Sequence, residues 1–330
     1  MTFYYNHVYI DETATVCGPY EKKGPLRRYF DKCYDDFYFG TKTVEKAEIK
    51  LVKDSLLYLM KKCGITKKEI DVVIGGDLLN QLTATTYGTN GVGKSFIGVY
   101  GACSSSVLSL IVGSNFIQGN FCSNALCVTS SHHLTSERQF RNPNEYGALR
   151  PSSSTFTATG AASCLLVNEE TDIRVESATL GRIVDYHQKD PNHMGKVMAP
   201  AAIDTFVKHL EETGRDPNYY DYIVTGDLGK YGMEIFIDYL KCEYSLDIQD
   251  RYHDCGVMLY DLESQKNVNS GGSGPVCSAL VVYSYLFSLM KEKKIKKVLF
   301  LATGALFSQT SLYQKEDIYS VCHAISLEAV

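Results

Sequence analysis

The chain has 330 residues, is 45% apolar and 22% charged, and carries a formal net charge of −5. That length admits one large core or two fused halves, and the composition is that of an ordinary globular protein rather than a disordered one. The acidic balance gives no overall attraction to nucleic acid, so no nucleic-acid partner is expected.

The N-terminus, MTFYYNHVYIDET, lacks a basic segment followed by an apolar one, so no signal peptide is expected. The first long periodic segment runs from Val44 to Cys63. Its apolar residues Ala47, Leu51, Leu56, Leu59 and Met60 follow helical spacing, and Gly64 stops it. Seven residues later comes Asp71, then the short strand Val72 to Ile74, then Gly76-Asp77-Leu78. Gly101-Ala102-Cys103-Ser104 opens a helix, Val107 to Ile117, that is apolar on nearly every side, and the strand Ala125 to Thr129 follows. A second helix, marked by Ile203, Phe206, Val207 and Leu210, stops at Gly214 and leads to Asp221, the strand Tyr222 to Val224, and Gly226-Asp227-Leu228. Gly274 to Ser278 opens another all-round apolar helix, Ala279 to Met290, which precedes the strand Val298 to Thr303.

These segments repeat one another. Gly64, Asp71, Gly76 and Asp77 return as Gly214, Asp221, Gly226 and Asp227, an ungapped offset of 150. From Cys103 to Thr129 and from Cys277 to Thr303 the distance is 26 residues in both copies. Helices without a polar face belong between sheets, and short apolar strands alternating with helices point to an α/β fold with largely parallel sheets. The expected division is 1–172 and 173–330.

Eleven cysteines, several inside apolar runs (Cys127, Cys164, Cys277), with no CxxC or Cys/His zinc spacing, fit reduced core thiols rather than a disulfide framework or structural metal. The longest apolar stretch, Ala279 to Met290, is too short to span a bilayer. The basic run Lys291 to Lys297 reads as a solvated helix end, with contact to an anionic membrane surface as the alternative.

A duplicated α/β chain with a cysteine opening the first central helix resembles the thiolase fold, a layered αβαβα duplication with two buried central helices. In arrangement it is most similar to the β-ketoacyl synthase III branch. Longer strings resemble one family in particular. They are Gly24-Pro25-Leu26 with Phe30-Asp31, Gly76-Asp77-Leu78-Leu79-Asn80-Gln81, Tyr100 to Ser104, and Thr129-Ser130-Ser131-His132. Ser136-Glu137-Arg138-Gln139-Phe140-Arg141, Met198 to Ala202, Asp254-Cys255-Gly256 and Gly271 to Gly274 continue the series. On these the chain is identified as a member of the stage V sporulation protein AD family of spore-forming bacteria. The resemblance implies a soluble component of the machinery that moves dipicolinic acid (pyridine-2,6-dicarboxylate) into the spore and out at germination. It also implies a peripheral place at the spore inner membrane beside membrane-embedded stage V sporulation A proteins. Whether the ligand arrives as its calcium chelate stays open, and a homodimer follows by fold analogy. No cofactor and no metal site are expected.

The residues test the chemistry. A thiol at a helix start lies near the positive end of the dipole, which favours its thiolate, and condensing enzymes use such a thiolate to accept an acyl group. They also need two donors from the second half, usually His with His or Asn. The two slots read Thr225-Gly226-Asp227-Leu228 and Gly272-Ser273-Gly274-Pro275, without His or Asn. Losing each donor costs roughly 3 kcal/mol of transition-state stabilisation. The same residues suit binding. Amides near Cys103, Ser104 and Ser105 form a candidate anion site. Arg138 and Arg141, after His132, supply guanidinium groups that match carboxylates, so the two anchors would fix a dicarboxylate at its opposite ends. The expected ligand-binding set is therefore Cys103, Ser104, His132, Arg138, Arg141 and Ser273, with no catalytic residue. Other readings of single residues stay open: Cys103 as a small residue at a helix start, and the two arginines paired with Glu137 and Glu145. Asp77 and Asp227 read as structural turns or dimer contacts. The alternatives to a binder are an active acyltransferase or synthase using Cys103, and a structural anchor of a membrane channel.

Overall fold

A computed structural model of the chain describes residues 1–140 and 149–330. Ten strands form the frame: β1 (Tyr9–Cys17), β2 (Val72–Gly76), β3 (Ser95–Gly98), β4 (Asn124–Ser131), β5 (Gly160–Val167), β6 (Ile173–Leu180), β7 (Tyr222–Thr225), β8 (Tyr252–Asp254), β9 (Lys297–Leu306) and β10 (Tyr319–Ala329). In the first half they run β3-β2-β4-β5-β1, and in the second β8-β7-β9-β10-β6, which is the same order twice. Antiparallel pairing of Tyr9 with Arg174 and Ile10 with Ile173 joins β1 to β6 and makes one continuous sheet. The 150-residue repeat is therefore a repeat of topology.

The expectation of largely parallel sheets is corrected. β2 is parallel to β3 and β4, but β4–β5 and β5–β1 are antiparallel. The second half repeats the mixture. All eight residues of β5 are buried, so this strand reads as an apolar run whatever its direction.

Six helices cover and fill the sheet: α1 (Val44–Cys63), α2 (Ser105–Gln118), α3 (His133–Phe140), α4 (Met194–Thr213), α5 (Gly229–Tyr244) and α6, continuous over 275–291. Helix α1 starts at the Thr43 cap, whose side chain accepts from the Lys46 amide, and α4 at His193, which accepts from the Lys196 amide. Both stop at a left-handed glycine, Gly64 (φ 68°) and Gly214 (φ 63°), where a side chain would be strained. One apolar cluster lies beneath α1, with Leu51, Leu59 and Leu126. A second lies beneath α4 and α5, with Phe206, Phe236 and Leu299.

Between the two halves sits the third cluster, around the apolar helices α2 and α6. Leu110, Ile111, Leu280 and Leu286 there are fully or almost fully buried. The helices touch through a buried hydrogen bond of 3.0 Å between the Ser106 and Ser278 hydroxyls. The middle of α6, Val281–Leu286, widens into a π turn, and the Tyr283 carbonyl accepts a 2.6 Å bond from Thr13 Oγ1 on β1. With α1 outside one half-sheet and α4 and α5 outside the other, the order is the expected αβαβα. Among the described residues, no helix is long and apolar enough to cross a membrane.

Candidate functional site

Cys103 stands two residues before the first turn of α2, held by a tight local fold. Ala102 before it has φ +49°, a left-handed conformation that is costly for alanine. The Ser104 and Ser105 amides donate to the Gly101 and Ala102 carbonyls at 3.0 and 3.2 Å. Gly304 on β9 allows the close approach, since a Cβ there would lie 2.1 Å from the Gly101 oxygen. The fold thus spends positive φ and two amides on aiming one sulfur.

That sulfur opens onto a cleft of about 840 Å³, counting its mouth. Leu78, Tyr100, Phe140, Met194, Met198 and Phe307 make its apolar walls. Its polar lining includes Cys103, Ser273, Ser136, Glu137, Arg150 and Ser154. Arg150 is the cation among the described lining residues. It is ion-paired with Glu137 and donates to the Thr155 carbonyl at 3.3 Å. Burial lowers its pKa from the usual guanidinium value, which for arginine still leaves the charge in place. Two buried hydroxyls of the lining, Ser136 Oγ and Ser154 Oγ, have no hydrogen-bond partner among the described residues.

Behind Cys103, Ser273 Oγ is 3.8 Å from the sulfur and 3.3 Å from Asp227 Oδ2. Asp227, fully enclosed, accepts also from the Gly274 amide at 3.1 Å and from Thr303 Oγ1 at 2.7 Å. Burial raises its carboxyl from the usual range to about 7. The thiol is driven up too, well above the free value, first by burial and then by the charge of Asp227. Enclosure and the adjacent carboxylate thus act against the thiolate that a helix start favours.

The sequence-derived set divides. Cys103 and Ser273 meet in the cleft. Ser104 does not line it; its hydroxyl is turned onto the Gly101 carbonyl at 2.6 Å. The anion site expected of the Ser104 and Ser105 amides is already occupied by the turn itself. His132 is fully buried, with Nε2 on the Phe37 carbonyl at 2.8 Å and Nδ1 accepting from the Leu134 amide at 3.2 Å. Burial lowers its pKa to about 4. It braces the end of β4 and does not line the cleft. Arg138 points to solvent, pairs with Glu45 rather than Glu137, and does not line the cleft. Arg141 and Glu145 lie outside the described residues.

Asp77 is the structural turn expected, accepting from the Leu79 and Thr85 amides at 2.8 and 2.7 Å. Its repeat, Asp227, is not confined to that role, because it faces the thiol. Asp254 caps the turn after β7 by accepting from the Leu228 and Gly229 amides, at 2.8 and 2.9 Å. Its neighbour His253 stacks on Tyr222 instead. Sequence reasoning missed Arg150, Ser154, Phe307 and Ser136. The last sits inside the quoted string Ser136 to Arg141, where attention went to the arginines. Arg150 had no spacing signal, because it follows the 141–148 segment and precedes an irregular run.

Known proteins resemble this chain in sequence and in fold. The stage V sporulation protein AD family matches residues 1–328. The chain belongs to that family. Its similarity to stage V sporulation protein AD of Bacillus subtilis (strain 168) is 40% identity over 328 residues, covering 99% of this chain and 96% of that protein. Membership places the chain among sporulation proteins. Solved structures share the fold at low identity. Against 3-oxoacyl-[acyl-carrier-protein] synthase III of Aquifex aeolicus the identity is 11%, covering 97% of this chain and 99% of that one, with a TM-score of 0.58. Against a variant of OleA of Xanthomonas campestris bound with cerulenin it is 14%, with 98% and 97% covered and a TM-score of 0.62. The stage V sporulation protein AD fold is thus the thiolase-like fold of condensing enzymes.

Proposed function

We propose that the chain binds dipicolinate without turning it over, as the soluble component of the spore's dipicolinate uptake and release machinery. The observation that carries the reading is the cleft's lining: one charged guanidinium, two unpartnered buried hydroxyls and aromatic walls. A flat pyridine ring suits Tyr100, Phe140 and Phe307. One carboxylate suits Arg150, and the second suits the Ser136 and Ser154 hydroxyls, which have no partner among the described residues. The start of α4 borders the cleft through Met194 and Met198, adding the positive end of a helix dipole.

The non-catalytic part rests on Asp227. An oxyanion beside Cys103 would face a carboxylate instead of a neutral donor, and the thiol itself is held protonated. The membrane-embedded partners, the spore inner membrane location and a homodimer belong to the same proposal. The edge strand β3, with Phe96 exposed, is a suitable dimer surface.

Calorimetric titration with dipicolinate, beside benzoate as a monoacid, tests the binding. Dipicolinate binding on the order of micromolar, with benzoate far weaker, is expected from one guanidinium anchor and two hydroxyl donors at the opposite end. No heat at millimolar dipicolinate would leave the protein a structural anchor. Incubation with acyl-CoA of several chain lengths, read by intact mass, tests the chemistry. A thioester on Cys103 would overturn the non-catalytic reading.

A further inference from the structure

Cys17, the last residue of β1, is fully buried, and it pairs in parallel register with Cys33 of the short strand Lys32–Cys33. The Tyr34 amide donates to the Cys17 carbonyl at 2.9 Å and fixes that register. The two sulfurs are 3.1 Å apart, and among the described residues no other two sulfurs are in hydrogen-bonding contact. Neighbouring strands hold Cα atoms at a separation that a disulfide can bridge without backbone movement.

The surroundings divide the roles. Cys33 is only half-buried, while Cys17 has no exposure. The Cys17 hydrogen bond lowers the Cys33 pKa, and the charges of Arg27 and Lys22 add to that effect. Burial, followed by the Cys33 hydrogen bond, raises that of Cys17. Lys22, Lys23 and Arg27 line a cleft in the adjoining surface, which favours approach of an anionic reagent. One sulfur is thus accessible and acidified, and the other waits behind it.

We propose that Cys17 and Cys33 form a reversible dithiol–disulfide couple, oxidised by exchange with a low-molecular-weight disulfide such as oxidised glutathione. The Cys33 thiolate attacks one sulfur of the reagent, forming a mixed disulfide and releasing one glutathione thiolate. The Cys17 thiol, losing its proton, then attacks Cys33 Sγ. The Cys17–Cys33 bond forms, and the second glutathione leaves as thiolate and takes up the proton. Two protein thiols are oxidised and one external disulfide is reduced to two thiols. The link closes the segment between them, which carries Tyr20. That ring stacks on Phe156 at 4.7 Å, between the cleft residues Thr155 and Thr157. Oxidation therefore staples one buttress of the cleft wall, whatever the cleft binds.

The test takes the full chain, reduced and then exchanged into oxidised glutathione, with remaining thiols capped by N-ethylmaleimide and the protein digested by trypsin without reduction. Cleavage after Lys22 and Lys32 puts Cys17 and Cys33 on separate peptides. The expected product is a peptide joining them in most molecules, lost on reduction, with exposed Cys242 as the control for reagent access. Cys17→Ala should stop at glutathione on Cys33, and Cys33→Ser should leave Cys17 a free thiol. Two free thiols while Cys242 is modified, or a stable mixed disulfide on Cys33 of the unsubstituted chain, would overturn the proposal.

Discussion

Replacing Arg150 by alanine should weaken dipicolinate binding by about tenfold to a hundredfold while leaving the fold intact. The side chain is part-buried at the cleft, held by Glu137 and by the Thr155 carbonyl. A charge-assisted hydrogen bond contributes about 1.5–3 kcal/mol, and each 1.4 kcal/mol or so is a tenfold change in Kd. Arg150→Lys keeps the charge but loses the bidentate fork, so it should fall between the two. Calorimetry of all three proteins with dipicolinate and benzoate reads the effect, and circular dichroism confirms the fold. The reasoning is refuted if Arg150→Ala binds like the unsubstituted chain. It is refuted more sharply if Arg138→Ala, which changes only an exposed pair with Glu45, causes the loss instead.

Ser136→Ala and Ser154→Ala should each leave thermal stability unchanged or slightly raised, because each deletes a buried hydroxyl with no partner among the described residues, yet weaken dipicolinate binding several-fold by calorimetry. Thr13→Val should destabilise the chain by about 1–3 kcal/mol in urea unfolding, since it removes the donor to the buried Tyr283 carbonyl at the π turn. Asp227 carries a carboxyl raised to about 7, as Glu21 is to about 7 and Glu48 to about 8, all first through burial. In that window the folded chain binds more protons than the unfolded one, so stability should fall as pH rises from about 4 through 7. Melting temperature against pH should show that decline, with a shallower slope in Asp227→Asn. The same substitution removes a negative charge beside Cys103, so alkylation of that thiol by iodoacetamide at neutral pH should become faster.

The fold was legible because its markers are local and repeated. Gly64 and Gly214 stop helices by the same left-handed geometry, and α2 and α6 lack any polar face, which leaves them only the middle of the molecule. Strand direction was not legible, since β5 is buried throughout and shows no alternation that could distinguish antiparallel from parallel. The site was legible only where it sits on those repeated elements: Cys103 ahead of α2, and Ser273 ahead of α6. Arg138, three residues in sequence from a second arginine, looked like an anchor, but α3 turns it outward and sends Ser136, Glu137 and Phe140 to the cleft. A spacing of three or four says which residues share a face, not which face meets a cavity. Arg150 comes from an irregular segment, and only the packed chain could reveal it.

Under the proposed reading, Asp227 is what turns a condensing-enzyme frame toward binding. The loop after β7 and the loop before α6 converge on the sulfur ahead of α2 because the duplicated topology brings both half-sheets against the two central helices. An acyl-transfer site needs neutral donors at that convergence to receive negative charge. Here it holds a carboxylate that has satisfied itself on the Gly274 amide, Ser273 and Thr303. Ser273 and Gly274 are the groups best placed to act as an oxyanion hole, and they are already donating to Asp227. A single Asp227→Asn change does not undo this, since the amide still occupies those donors and adds no base. It should speed alkylation of Cys103 without producing acyl transfer. A protein whose inactivity lay only in the charge of Asp227 would gain acyl-enzyme in the same variant, and intact-mass measurement with acyl-CoA distinguishes the two.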